Sequence, residues 1–386
     1  HRSFENLKAL REQIEDEYIP EMIKAASQMA TQDLSALSDA VLIEEIAHRQ
    51  KINNKWVNVY WSDFIPFAHG IRLFGQVYND TIRPDNPYEF VDLLGQTQME
   101  SLTRNRLLEN LAALVRGNAA LREQLANREF PPPGDAFMTQ VAGFIERFGD
   151  LSCPVTGATS CSQGPEALIK IVLEMAAHAP ARPAAAVSGK RDALRSQFFD
   201  RFAGEDRIWA EELLDLARAS YQLRDDDNIH LGRIEAQKMA AEQQGQQRLQ
   251  AAEAAEKDSR GIQALRDVLL ASTPPDTKPP ADEGQRPSGF TLKARQLTGQ
   301  PAGPGVSKGR ARVIMADADL AEFKHGEILV CDAVDPNMTF VVPLAAGIIE
   351  RRGGMLIHGA IIAREYGLAC VTGVPDATRL IKTGDP

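Results

Sequence analysis

The sequence predicts a multidomain protein, an all-α N-terminal domain followed by a compact α/β domain, from a change of texture along the chain and the linker that marks it. Up to about residue 270, apolar residues recur at three- and four-residue intervals. Ala, Leu, Glu, Gln and Arg dominate there and β-branched runs are rare, as in amphipathic helices. Residues 272–289 hold five prolines and little that can pack, which reads as a semi-rigid linker. Beyond it, short apolar runs alternate with Gly, Asp and Pro turns, the pattern of strands in a small α/β fold. The expected layout is a helical domain over residues 1–271, a linker over 272–300 and an α/β domain over 301–386.

Within the helical part, residues 42–52, 100–114 and 208–223 each set one apolar stripe against a charged face. Breaks are expected at residues 85–87 (Asp-Asn-Pro), at the triple proline 131–133, at 153–165 and at 177–189, where Gly, Pro and small polar residues gather. Residues 234–255 are rich in Gln, Glu and Ala and predict a long, mostly solvated helix. In the C-terminal part, residues 312–315, 328–331 and 347–350 are strand candidates, and a short helix follows His358. No internal repeat is visible. Residue 1 is His, and residues 382–386 read as a turn into a further strand, so the chain is expected to be a piece of a longer one.

With 44% hydrophobic and 25% charged residues, the 386-residue chain has the composition of globular material and length for two or three cores. Its net charge of -10 argues against a nucleic-acid binder, which needs a basic stripe to displace counterions. The richest apolar stretch, residues 341–362, is broken by Glu350, Arg351 and Arg352, so no membrane span is expected. The N-terminus opens on Arg2, Glu5 and Lys8 rather than an apolar core, and a cytoplasmic location is the expectation. Cys153, Cys161, Cys331 and Cys370 lack metal-finger spacing and read as reduced thiols.

The segment from Glu350 to Gly373 carries the chemistry. A strand candidate ends near Glu350, Gly353 and Gly354 permit close backbone approach, and His358 is followed by a small residue and a helical apolar pattern. That order puts His358 at a helix N-terminus, where unpaired N–H groups and the helix dipole favour an anion. Imidazole is a good nucleophile near neutral pH, and the phosphoramidate it forms passes its phosphoryl group onward. Arg364 is a candidate to contact phosphate, or else to pair with Glu365 or a carboxylate elsewhere. Asp335 and Thr339 either face the same edge or form an Asp-Pro-Asn turn that ends a strand.

A second cluster lies in the helical part: Trp56, Tyr60, Trp61, Phe64, Phe67 and Phe74, interleaved with Lys51, Lys55, Asp63, His69 and Arg72, in a chain only 6% aromatic. These rings make either a pocket for an apolar or aromatic alcohol or the helical core itself. If a pocket, Lys51, Trp56, Tyr60, Trp61 and Arg72 bind substrate, Lys51 or Arg72 steadying the phosphoryl group, and His69 or Asp63 is the acceptor's base. His48, His178, His230 and His325 read as surface or packing histidines, and residues 225–227 as a solvated loop or helix end rather than a cation site.

An ordered set of motifs extends from Pro304 to Thr378: Pro304-Gly305-Val306-Ser307-Lys308-Gly309 with 311–314, then 326–331, then Asp335-Pro336-Asn337-Met338-Thr339. Next come Gly353-Gly354, His358-Gly359-Ala360-Ile361-Ile362-Ala363-Arg364-Glu365, Gly367, Val371-Thr372-Gly373 and Ala377-Thr378. This segment resembles the phosphohistidine-bearing swivelling domain of the phosphoenolpyruvate-utilising enzymes, which include phosphoenolpyruvate synthase, pyruvate phosphate dikinase and rifampicin phosphotransferase. The resemblance implies a three-layer β/β/α sandwich, phosphorylation of His358, a phosphate loop of Gly353, Gly354, Gly359 and Thr339, and travel between an ATP site and an acceptor site. The layout is similar to rifampicin phosphotransferase and to the large subunit of phenylphosphate synthase, which implies a helical acceptor-binding domain and a dikinase-type phosphotransferase.

No Gly-rich loop with the carboxylate ligands of an ATP-grasp domain and no TIM-barrel pattern is found in the sequence. ATP and Mg2+ are therefore expected on a partner ATP-grasp subunit or domain, with no metal site and no tightly bound cofactor here. The alternatives are a fragment of phosphoenolpyruvate synthase or pyruvate phosphate dikinase, and a non-catalytic phosphocarrier.

Overall fold

The computed structural model describes residues 4–95, 99–149, 165–178, 185–255, 260–272, 297–320, 322–335 and 338–386. It divides into two compact units, the first of His1–Arg11, Ile65–Ile229 and Leu297–Pro386, the second of Glu12–Phe64 and His230–Gln296. Residues 273–296, which hold most of the expected linker, lie outside the described residues, as do Cys153 and Cys161.

In the first unit, the N-terminal part is helical. Asn118 caps the Ala119–Ala126 helix by accepting from Leu121 N, and Asp135 caps Ala136–Phe148 by accepting from Phe137 N and Met138 N. The rings of Phe74, Tyr78 and Phe198 are buried together, Phe74 and Phe198 edge to face at 5.4 Å and Tyr78 stacked on Phe198 at 5.5 Å. The Glu100–Gly117 helix buries Leu108, Leu111, Ala112 and Val115 at helical spacing, and also Ser101, Arg104 and Asn105 of its first two turns. Those buried polar residues define where the functional site falls.

The C-terminal part of this unit is a mixed sheet of β1 (Gln300–Pro301), β2 (Ala311–Val313), β3 (Ile328–Cys331), β4 (Gly347–Glu350) and β5 (Ala369–Thr372). The order is β1-β5-β4-β3-β2. Strands β2 to β5 run parallel to their neighbours and β1 pairs antiparallel with β5. Parallel neighbours need crossovers, here the Thr339–Leu344 turn between β3 and β4 and the His358–Tyr366 helix between β4 and β5. That helix packs on β4, β5 and the Thr339–Leu344 turn, and the turn packs on the Glu100–Gly117 helix. One apolar core, including Leu329, Ile348, Ile361 and Ile362, continues into the helical part. Cys331 and Cys370 are free, buried thiols, and burial pushes both up.

The second unit packs the Asp39–Val59 helix against Arg260–Ser272, with Leu42, Ile46, Ala241, Leu265 and Leu269 in its core. Buried Arg49 donates to Glu45 Oε1 at 2.6 Å, to the carbonyl of Gln237 at 2.8 Å and to that of Met29 at 2.8 Å. This spread of acceptors compensates the desolvated guanidinium.

Three details differ from the sequence expectations. Residues 185–189 belong to the Ala185–Phe199 helix instead of a break. The apolar stripe of residues 208–223 and the Gln/Glu/Ala-rich run form one continuous Gly204–Ala254 helix, which runs through Gly232 and contains no proline. Strands β1 and β5 lie outside the strand candidates; β1 is only two residues long, and β5 holds a single β-branched apolar residue, Val371. No helix among the described residues is long and apolar enough to cross a membrane.

Truncating Phe74, fully buried between Tyr78, Phe90 and Phe198, opens a cavity in this core. Phe74→Ala is expected to lower stability by about 3–5 kcal/mol, measured by guanidinium unfolding; an unchanged midpoint would contradict this packing.

Candidate functional site

The site begins where β4 ends. Gly354 has φ +147°, a conformation that side-chain-bearing residues rarely adopt. Its N–H donates to Thr372 Oγ1 at 3.3 Å, and the same hydroxyl donates back to its carbonyl at 3.2 Å. A Cβ on Gly353 would stand 3.3 Å from Gly373 Cα, so two loops approach here backbone to backbone. Arg364, near the end of the next helix, reaches back and donates to the Met355 carbonyl at 2.5 Å. The loop so held delivers extended Ile357 as the N-cap and His358 as the first residue of the His358–Tyr366 helix.

His358 is buried, and its Nδ1 lies 3.2 Å from Asp225 Oδ1. That is ion-pair range without hydrogen-bond geometry, and neither ring nitrogen has a hydrogen-bond partner. Asp225, in the Gly204–Ala254 helix, is fully buried and accepts from Ser101 N at 3.1 Å and from the Ser101 hydroxyl at 2.7 Å. The next residue, Asp226, accepts from Glu100 N at 2.9 Å. These two carboxylates take the first N–H groups of the Glu100–Gly117 helix, whose own N-cap residue, Met99, offers no side-chain acceptor. Burial pushes the His358 pKa down, Asp225 opposes the shift, and Arg104 and Arg224 add to it. The imidazole is therefore neutral at neutral pH.

Two more elements hold the surroundings. Fully buried Arg104 donates to Thr339 Oγ1, and Asn105 Nδ2 donates to the Thr339 carbonyl at 2.9 Å. Glu350, also fully buried, accepts from Val334 N at 2.6 Å through Oε1, while Oε2 has no hydrogen-bond partner. A Cβ on Gly359 would meet that carboxylate at 2.6 Å, so glycine is what lets the helix start against it. Burial pushes Glu350 up to about 7.

Beside the loop is a cavity of about 680 Å³. Its walls include His69, Arg72, Gln76 and Asn79 of the His69–Ile82 helix, Arg224, and the loop residues Gly353 to Ile357. It lies wholly within the first unit.

The predicted site residues fall in several places. His69 and Arg72 line the cavity, as do Gly353 and Gly354. Gly359 lies against Glu350, and Thr339 is held by Arg104 and Asn105. Arg364 is engaged with the loop at Met355. Asp335 Oδ1 accepts from Met338 N at 3.0 Å, while Pro336 and Asn337 lie outside the described residues.

The remaining predicted residues, Lys51, Trp56, Tyr60, Trp61 and Asp63, belong to the second unit, whereas His69 and Arg72 belong to the first. Trp56 is buried edge-on to Tyr18, whereas Trp61 is 65% exposed. Phe64 is buried in the second unit and Phe67 and Phe74 in the first, so the aromatic run supplies two cores.

Asp225, Arg224, Ser101, Arg104 and Glu350 escaped the sequence reading. Residues 225–227 were expected in a solvated loop or helix end; all three are buried inside the Gly204–Ala254 helix. The available signal was spacing. Ala217, Tyr221 and Asp225 follow one another at four-residue intervals on one buried stripe. His178 and His325 stack with ring centroids 3.9 Å apart, and His230 is buried in the second unit and pushed down to about 4. Among the described residues no group of three or more His, Cys, Asp or Glu side chains is arranged to hold a metal ion.

Residues 323–386, from just before β3 onward, match the family described as PEP-utilising enzyme, mobile domain. Rifampicin phosphotransferase of Bacillus cereus is 46% identical over 93 residues, 24% of this chain and 11% of that protein. The Bacillus subtilis rifampicin phosphotransferase is 47% identical over 95 residues, 24% of this chain and 11% of its own length. Phosphoenolpyruvate synthase of Aeropyrum pernix is 37% identical over 110 residues, 28% of this chain and 13% of that protein. The chain thus spans only about a tenth of the length of the curated relatives it matches. Its C-terminal segment thus matches the mobile-domain family of the PEP-utilising enzymes and is similar to segments of phosphotransferases.

The buried carboxylates give this unit a pH signature. Glu350, Asp226 and Asp227 are each raised to about 7, mainly by burial, so the folded state binds their protons more tightly than the unfolded chain. Stability from these groups is full below about pH 4 and is lost as pH rises through about 7. Glu350→Gln is expected to flatten that slope and to raise stability at pH 8 by up to about 3 kcal/mol, read from urea unfolding at several pH values. An unaltered slope would show that Glu350 titrates normally.

Proposed function

We propose that this chain is the acceptor-side component of a dikinase-type phosphotransferase, in which His358 carries a phosphoryl group to a hydroxyl acceptor bound in the cavity beside its loop. A partner ATP-grasp subunit or domain supplies the group from ATP with Mg2+. The swivelling motion and the three-layer β/β/α arrangement of the mobile domain belong to this reading. So does a cytoplasmic setting.

The observation that carries the proposal is the cavity itself. Residues Gly353 to Ile357, which lead directly into His358, share its wall with His69, Arg72 and Arg224. Two guanidinium groups there suit a transferring phosphoryl group, whose charge grows on its oxygens in the transition state. His69 lines the same wall, which supports its reading as the base that takes the proton of an acceptor hydroxyl. The volume, about 680 Å³, and the Tyr88, Phe90 and Ile71 surfaces suit a phenol or related aromatic alcohol.

The test supplies the ATP-binding partner, ATP labelled in its β-phosphoryl group and a panel of phenols and other alcohols. His358→Ala is expected to take up no label and make no product. Arg72→Ala and His69→Ala are expected to accept label on His358 yet lose about tenfold or more in transfer to the alcohol. Undiminished turnover in His358→Ala would end the proposal. Label that reaches pyruvate but no alcohol would favour the phosphoenolpyruvate synthase reading, consistent with the Aeropyrum pernix similarity.

A further inference from the structure

We propose that Asp225 positions His358 for transfer: it holds the proton on Nδ1, so that Nε2 is the nitrogen that bonds phosphorus and the group that leaves is a neutral imidazole. The inference deepens the phosphocarrier reading and rests on it.

The geometry comes first. An ionised carboxylate only accepts hydrogen bonds, so a nitrogen placed 3.2 Å from Asp225 Oδ1 is the one that carries the proton. The carboxylate cannot turn away, because Ser101 N and Oγ hold it at 3.1 and 2.7 Å. Rotating the imidazole by half a turn would exchange Nδ1 for a carbon and leave the buried carboxylate facing C–H. The remaining nitrogen, Nε2, has no hydrogen-bond partner and keeps its lone pair. A small ring rotation brings Nδ1–H into line.

The chemistry needs this tautomer. In transfer, the P–Nε2 bond breaks and its electron pair returns to Nε2, while the acceptor oxygen bonds to phosphorus and the hydroxyl proton passes to a base such as His69. With hydrogen on Nδ1 the departing group is neutral imidazole; without it, the departing group is imidazolate, a far stronger base and a much poorer leaving group. The surroundings work against that proton. From the Glu100–Gly117 helix Arg104, and from the Gly204–Ala254 helix Arg224, disfavour positive charge on the ring, as burial does, and Asp225 opposes them. Asp225 stands on a helix and His358 on the sheet segment, so this control acts only while the two are in contact.

The experiment uses the full chain labelled with 15N-histidine, with His358→Ala to assign the signal. The expected result is the Nδ1–H tautomer at His358 from about pH 6 to 8 in the wild type and a shift toward Nε2–H in Asp225→Ala. Asp225→Asn keeps the shape and removes the charge, and thermal melting of both variants separates a lost tautomer from a lost fold. Phosphoramidate, a small donor that needs no partner, then phosphorylates His358 directly. Phosphoryl loss at pH 8 should be at least about tenfold slower in Asp225→Asn, with the fall in rate beginning at lower pH than in the wild type. An Nε2–H wild type, or a tautomer and pH profile unmoved in both variants, overturns the assignment. A wild type that shows Nδ1–H but takes no phosphoryl group from either phosphoramidate or the ATP-charged partner leaves the positioning intact and removes the phosphocarrier reading instead.

Discussion

The carboxylate of Asp225 is the constraint on which the candidate site turns. A fully buried anion is tolerated only where donors surround it. Here the donors are the first-turn N–H and hydroxyl of Ser101, so the same group that faces His358 also terminates the Glu100–Gly117 helix. Helix end, carboxylate and imidazole are thereby one electrostatic unit. The carboxylate accepts at the positive end of the helix dipole, and it faces the ring that burial keeps neutral.

Around that unit the backbone of the mobile domain is set by glycines and by back-bonding side chains. Gly354 adopts a torsion that a Cβ would strain, and Gly359 makes room for the Glu350 carboxylate against the helix start. Thr372 and Arg364 then fasten the loop from two sides. The carbonyls and an amide of the loop are thereby tied to its own segment.

Much of this was legible in the amino-acid order. The helix beginning at His358, the glycine pair before it and strands β3 and β4 follow from apolar runs of four residues and the turns between them. His69 and Arg72 were singled out as polar residues within an aromatic stretch, and they do line a cavity. The companions chosen with them, Lys51, Trp56, Tyr60, Trp61 and Asp63, fall in the other compact unit. Sequence proximity groups residues 51–74 together, but the chain passes from one core to another near residue 64, and periodicity is the same on both sides of that passage.

The sequence by itself determined the helix that begins at His358, the glycine pair before it and strands β3 and β4, because helical spacing, glycine placement and short apolar runs are local properties. The three consecutive acids at 225–227, Arg104 and Glu350 look, in isolation, like ordinary surface charges. Only the tertiary structure decided that they are buried, and only it set Asp225 against a histidine 133 residues further on. The reason is physical: the charge state and role of such a group depend on which donors and how much solvent the rest of the fold leaves around it, and four-residue spacing puts Asp225 on a stripe with Ala217 and Tyr221 without naming its donors or its histidine.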